Sequence, residues 1–304
     1  MESLLQNTMF QKRYIRENVN RKRDAIKGKR GIARVFRGPV SAILKHFYLK
    51  NYFENRVKKG FVDIPYIELV LTTKCTMRCE SCNNLMQYFS PKAQYTCTLE
   101  GMINSLETLC KKVDSIQMIR LIGGEPFLFK DLDGLLDYLE NNKKILSFDI
   151  VTNASVDIKE STLKRFKKSK KILNIAISDY SHVSGIILKQ DSIFKNLKKH
   201  KIPYNFLTGG SWFSVGHIFK RNRSKDEIIK NFRACGMQCV SLMSGECISK
   251  ADIIKHDIRK DKEAQKEANR LAPNGALFVC PVASSLSRLR GLEEFASGGG
   301  GLIL

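Results

Sequence analysis

Three observations predict an α/β protein with a parallel sheet. Short apolar, β-rich runs alternate with segments of helical periodicity from Ile64 onward. The strand runs are apolar almost throughout rather than at every second residue, as expected when helices cover both faces. Polar residues gather just after the strands, where the loops of such sheets converge on a ligand.

In chain order, "YIELVLTT" (66–73) reads as a strand and 98–113 as a helix. "SIQMIRLIGG" (115–124) is the next strand, followed by a helix over 131–144. "ILSFDIVTNAS" (145–155) and a basic helix over 159–171 form the third unit. A strand over 172–178 and a helix over 186–200 form the fourth, and "IPYNFLTGG" (202–210) opens a fifth. A sixth unit falls near residues 212–219. This pattern suits either a partial barrel or a doubly wound sheet.

Residues 1–63 stand apart as a basic helical arm. Ile43, Leu44, Phe47, Tyr48, Tyr52 and Phe53 recur there among lysines and arginines, partly at helical spacing. We expect this stripe to pack the helix onto the body. The other use of such a helix, against a membrane surface or a nucleic acid, is the less favoured one. Beyond residue 220 the alternation stops. A cysteine-rich stretch is followed by a charged, helical insert over 251–273, and a glycine-rich end is expected to be a flexible tail.

The formal net charge of +22 favours an anionic substrate or partner. Nine cysteines, an odd number, in a chain that turns charged before any apolar leader core forms point to metal or redox chemistry in a reducing, cytoplasmic setting. No apolar run is long enough to span a bilayer.

Cys75, Cys79 and Cys82 place three thiols within one short loop after the first strand, with no histidine nearby. A structural zinc site needs four ligands. An iron–sulfur cubane accepts three and leaves an iron for another molecule. The Cys-x3-Cys-x2-Cys spacing resembles the signature of the radical S-adenosylmethionine (SAM) superfamily. Gly123-Gly124-Glu125-Pro126, after the second strand, resembles that family's second motif, which contacts the SAM amino group. Thr152 and Asn153 resemble its ribose-contacting segment, and Ser178 stands where the next strand's polar contact is expected. Ser81 departs from the pattern: many members place an aromatic residue there, beside the adenine.

The resemblance implies a partial (β/α)6 TIM-type barrel over residues 64–220. It implies a [4Fe–4S] cluster on Cys75, Cys79 and Cys82, with SAM on the fourth iron. It further implies reductive cleavage of SAM to a 5′-deoxyadenosyl radical, and an electron donor such as flavodoxin or ferredoxin. The hydrogen removed would come from a peptide, sugar or other small molecule. Residues 221–304 resemble a SPASM/Twitch extension through Gly275-x4-Cys280, with Cys235 and Cys239 upstream; this implies an auxiliary [4Fe–4S] cluster, with Cys247 a candidate fourth ligand. Those four cysteines are also a complete zinc shell. A non-catalytic, zinc-stabilised nucleic-acid-binding protein is therefore the alternative from a different class.

Overall fold

A computed structural model describes residues 8–28, 39–80, 82–89, 91, 94–183, 185–208, 222–234, 240–243, 276–278 and 302–303. It is a mixed α/β structure with a parallel sheet, and it divides into two compact units. The first comprises Met1–Ile67, Leu106–Leu121 and Lys130–Leu207; the second comprises Glu68–Ser105, Ile122–Phe129 and Thr208–Leu304.

In the first unit, helices α1 (Thr8–Gly28) and α2 (Pro39–Lys58) precede the sheet. They pack through a small cluster of Val19, Leu49 and Phe53, with Ile15 against it. Asp63, almost wholly buried, opens the short strand β1 (Asp63–Ile64) and ties the arm down. Its carboxylate accepts both arms of the Arg56 guanidinium at 2.6 Å and the Ser115 hydroxyl at 2.5 Å. Its backbone N–H donates to the Tyr14 hydroxyl, and its carbonyl accepts from Asn18 Nδ2. A bidentate, charge-assisted pair of this kind fixes orientation as well as distance.

Strand β2 (Ile67–Val70) leads into helix α3 (Leu99–Lys112), and Thr98 caps that helix by accepting from Gly101 N–H at 3.0 Å. The run read as one strand over 115–124 is two, β3 (Ser115–Ile116) and β4 (Ile119–Ile122). The first pairs in parallel with β1 and the second joins the larger sheet.

Helix α4 (Leu132–Asn141), β5 (Phe148–Thr152), α5 (Glu160–Lys168), β6 (Ile172–Ser178), α6 (Gln190–His200) and β7 (Tyr204–Leu207) complete the alternation. Strands β4, β5, β6 and β7 run in parallel in that order. Their registers include Leu121↔Ile150, Thr152↔Ile177 and Ser178↔Leu207. Leu132, Leu135, Leu136 and Leu139 make the buried face of α4, the i, i+3, i+4, i+7 stripe of an amphipathic helix. Arg120 on β4 reaches Asp149 on β5 through two bonds, 3.0 Å from Nε and 2.6 Å from the terminal nitrogen. Burial pushes the Asp149 carboxyl above its ordinary value, and the Arg120 bond opposes that shift.

The arm's stripe does not pack as the periodicity suggests. Phe53 is fully buried, but Ile43, Phe47, Tyr48 and Tyr52 are exposed. α2 meets α1 along one narrow seam, which covers only the face bearing Leu49 and Phe53.

In the second unit the strand order is β10–β9–β8–β2, with β8 (Val240–Met243), β9 (Ala276–Phe278) and β10 (Leu302–Ile303) joined antiparallel. Leu302 and Ile303 therefore pair with β9, in the segment read from sequence as a tail. Helix α7 (Lys225–Ala234) precedes β8. Residues 212–219 and 251–273 lie outside the described residues. Among the described residues, no helix is long and apolar enough to cross a membrane.

Candidate functional site

Leu71 N–H donates to Ile122 carbonyl at 2.9 Å, which sets the end of β2 beside the end of β4 within the second unit. From there the chain is held on its other side by a returning segment. Cys97 N–H donates to Leu71 carbonyl (2.9 Å) and Thr73 N–H to Tyr95 carbonyl (3.0 Å). Tyr95 N–H donates to Thr73 Oγ1 at 3.0 Å, and Thr72 Oγ1 donates to Tyr95 carbonyl at 2.9 Å. Both threonines are buried, so these bonds satisfy groups that water cannot reach. Sequence reasoning missed this return. The only local signal was the β-branched Thr72-Thr73 pair followed by Tyr95-Thr96, too short a pattern to identify a pairing.

The thiol loop starts from that clamp. Cys75, Cys79 and Cys82 are partly exposed thiols, not disulfides. Cys75 Sγ accepts from Met77 N–H at 3.4 Å, and Cys82 N–H donates to Cys79 carbonyl at 3.2 Å. Met77, Leu85, Met86 and Phe89 are buried and anchor the loop, and Leu85 takes a left-handed φ of 60° where the loop turns into a short 3-10 helix. Burial pushes the Cys75 thiol up to about 11; the Met77 N–H opposes this, while the charges of Glu125, Cys82 and Cys79 add to it. Once ionised to hold a metal, thiols of this loop and the Glu125 carboxylate would repel one another unless a cationic centre neutralised them.

The Gly123–Pro126 segment lies directly against the start of this loop. Gly124 N–H donates to Thr72 carbonyl at 2.7 Å and Glu125 N–H to Lys74 carbonyl at 2.9 Å. A Cβ on Gly124 would stand 2.1 Å from Lys74 O and 2.8 Å from Cys75 Cβ. Gly123 has φ +154°, and a Cβ there would meet Thr72 O at 2.4 Å. The glycines are thus required by the close approach of two backbones. Glu125 is fully buried, and its Oε1 accepts from Phe127 N–H at 3.2 Å, capping the short helix that Pro126 begins.

In the first unit, Thr152 ends β5 and Ser178 ends β6; the Thr152↔Ile177 register makes them neighbours at the carboxyl ends of adjacent strands. Thr152 Oγ1 accepts from Ala154 N–H and Asn153 Oδ1 from Ser155 N–H, each at 3.0 Å. These oxygens therefore also shape the turn that follows β5. A cleft of about 510 Å³ in the same unit lies at the opposite strand ends, lined by Lys22, Ala25, Ile145, Leu146, Lys170 and Lys171 among others. It contains none of the residues singled out from sequence.

Among the described residues, no three His, Cys, Asp or Glu side chains converge as ligands of a single metal ion. Three thiols spread along a loop suit a cluster, in which each sulfur takes a different iron. Ser81 and the candidates Cys235, Cys239, Cys247 and Cys280 lie outside the described residues.

Residues 67–184 match the model of a 4Fe-4S single cluster domain, a range that contains Cys75, Cys79, Cys82, the Gly123–Pro126 segment, Thr152, Asn153 and Ser178. The chain is 26% identical over 145 residues to a GTP 3′,8-cyclase of Campylobacter lari, covering 44% of this chain and 41% of that protein. It is 33% identical over 97 residues to the GTP 3′,8-cyclase of Ectopseudomonas mendocina, covering 30% of this chain and 27% of that protein. The chain thus spans about two fifths of the length of the first of these relatives. Among solved structures it is similar to Streptococcus suis SuiB bound to precursor peptide SuiA, at 18% identity and a TM-score of 0.39, over 64% of this chain and 42% of that one.

Proposed function

We propose that this chain is a radical SAM enzyme whose cluster sits on Cys75, Cys79 and Cys82. The observation that carries the reading is the stitching of the Gly123–Pro126 segment to the residues that lead into the first cysteine, through the Gly124–Thr72 and Glu125–Lys74 backbone bonds. Two motifs far apart in sequence thereby act as one edge of a site. The match of residues 67–184 to a 4Fe-4S domain and the similarity to GTP 3′,8-cyclases support the same reading.

Cys75, Cys79 and Cys82 would hold a [4Fe–4S] cluster that, once reduced by an external electron donor, would supply the single electron needed for reductive cleavage of SAM. The chain's own part is positional. The Thr72 and Thr73 clamp holds the first thiol in place, and the three thiolates bring the negative charge that the irons offset. Gly123 and Gly124 let the second motif lie directly against the backbone of Thr72 and Lys74, beside the thiol loop where SAM would bind. Glu125 adds a fixed negative charge that favours a cationic ammonium. By the resemblance, Thr152 and Asn153 belong to a ribose-contacting segment and Ser178 to the next strand's polar contact. The barrel form, an auxiliary cluster on Cys235, Cys239 and Cys280 with Cys247 as a further ligand, and a flavodoxin- or ferredoxin-like reductant belong to the same proposal. The substrate class favoured by the net charge is anionic.

Anaerobic reconstitution with iron and sulfide tests it. The expected product binds roughly four irons or more per chain and, with dithionite and SAM, releases 5′-deoxyadenosine. Zinc alone, or 5′-deoxyadenosine from a Cys75→Ala, Cys79→Ala, Cys82→Ala triple variant, overturns the assignment.

A further inference from the structure

Helix α2 is packed on one side only. Leu49 and Phe53 meet Val19 and Ile15 of α1. On the far side Ile43 and Phe47 are each 56% exposed, Tyr48 is 70% exposed and Tyr52 38%. At 100° per residue, Ile43, Phe47, Lys50, Asn51, Glu54 and Lys58 fall in one column, with Tyr48, Tyr52 and Asn55 in the next. The four large side chains thus share one broad outward face in the described structure.

The arm is basic overall, although Glu54 falls between Ile43 and Phe47 around the helix axis and pairs with Lys50 at 3.7 Å. Residues 1–63 hold sixteen lysines and arginines against five aspartates and glutamates. Lys12, Arg13 and Arg16 are exposed on α1, and Lys50 and Lys58 on α2. Exposed aliphatic and aromatic side chains flanked by cations are complementary to a surface that is apolar below and anionic above. Nucleic acid would reward the cations but has little use for Ile43 and Phe47 at the centre of the face.

We propose that the outer face of α2 docks on an anionic lipid bilayer, with Ile43 and Phe47 entering the headgroup–acyl boundary and the flanking cations meeting lipid phosphates. Tyr48 and Tyr52 sit at the level of the headgroups, where amphipathic rings are favoured. The contact is peripheral: the helix lies on the membrane and does not cross it. The proposal is independent of the assigned chemistry.

Sedimentation of the full chain with vesicles of phosphatidylcholine, alone or mixed with phosphatidylglycerol, tests it. Binding to the mixed vesicles should exceed binding to neutral ones at least about tenfold and weaken with salt. An Ile43→Ser, Phe47→Ser double variant should lose roughly tenfold of that binding at unchanged thermal stability, because both side chains are already exposed. Absence of binding to anionic vesicles overturns the proposal. So does equal binding by the double variant, or a shift from dimer to monomer in the double variant without vesicle binding. Tighter binding to duplex DNA that the double variant retains also overturns it, assigning the basic surface to nucleic acid instead.

Discussion

Gly124→Ala tests the join between the two motifs with a single methyl group. The added Cβ would stand 2.1 Å from Lys74 O, 2.5 Å from Lys74 C and 2.8 Å from Cys75 Cβ. None of these atoms is the end of a flexible side chain that could swing aside. Restoring even a 3.0 Å contact to Lys74 O requires the two segments to part by about 0.9 Å. That movement stretches the 2.7 Å Gly124–Thr72 and 2.9 Å Glu125–Lys74 bonds past hydrogen-bonding distance. Losing two such backbone bonds costs about 2–4 kcal/mol. A displacement near 1 Å at a reacting centre costs on the order of a hundredfold in rate. The variant should therefore show a lowered urea midpoint, reduced iron after reconstitution and roughly a hundredfold less 5′-deoxyadenosine. Gly60→Ala is the control: its φ of +77° strains an alanine, but its Cβ meets nothing within 4 Å, so it should leave iron content unchanged. Full iron content and parental cleavage by Gly124→Ala would refute the claim that this backbone approach positions Cys75.

Three further predictions concern the scaffold. Arg120→Ala strands the fully buried Asp149 carboxylate and should cost about 3–5 kcal/mol in urea unfolding. Burial already raises the Asp149 carboxyl and Arg120 opposes it, so removing Arg120 raises it further; the deficit should shrink as pH falls and the carboxyl takes up a proton. Burial pushes the Tyr14 phenol from 10.0 up to about 12, so its stabilising contribution is whole below pH 10 and is lost as pH climbs through about 12. Tyr14→Phe should remove one late-titrating tyrosine from an absorbance titration and flatten that part of the alkaline stability profile. Phe53→Ala, at a fully buried site in the seam between α1 and α2, should cost about 3–5 kcal/mol and open the arm to limited proteolysis. Iron content after reconstitution should be unchanged in Phe53→Ala, because the thiol loop does not contain that seam.

The alternation of β4 to β7 with α4 to α6 was legible because periodicity and apolar runs are local properties. The 115–124 run was read as one strand because nothing in its composition marks a break. The chain nevertheless switches partners there, β3 pairing with β1 and β4 with β5. Leu302 and Ile303 were read as tail because two apolar residues after a glycine run carry no periodicity; their strand exists only through β9.

By itself, then, the sequence determined the alternation of β4 to β7 with α4 to α6, the three-thiol spacing of Cys75, Cys79 and Cys82, and the glycine pair that permits a close approach. Only the tertiary structure decided what those glycines approach, that residues 95–97 clamp the base of the thiol loop, and that Thr152 and Asn153 brace their own turn. It also decided the orientation of α2. Helical spacing shows that a stripe exists, but which part of it is covered depends on the partner helix, and α1 is too narrow to cover more than Leu49 and Phe53. Dihedral preference and hydrophobic period act within a few residues, whereas burial and backbone contact are settled by what the rest of the chain brings alongside.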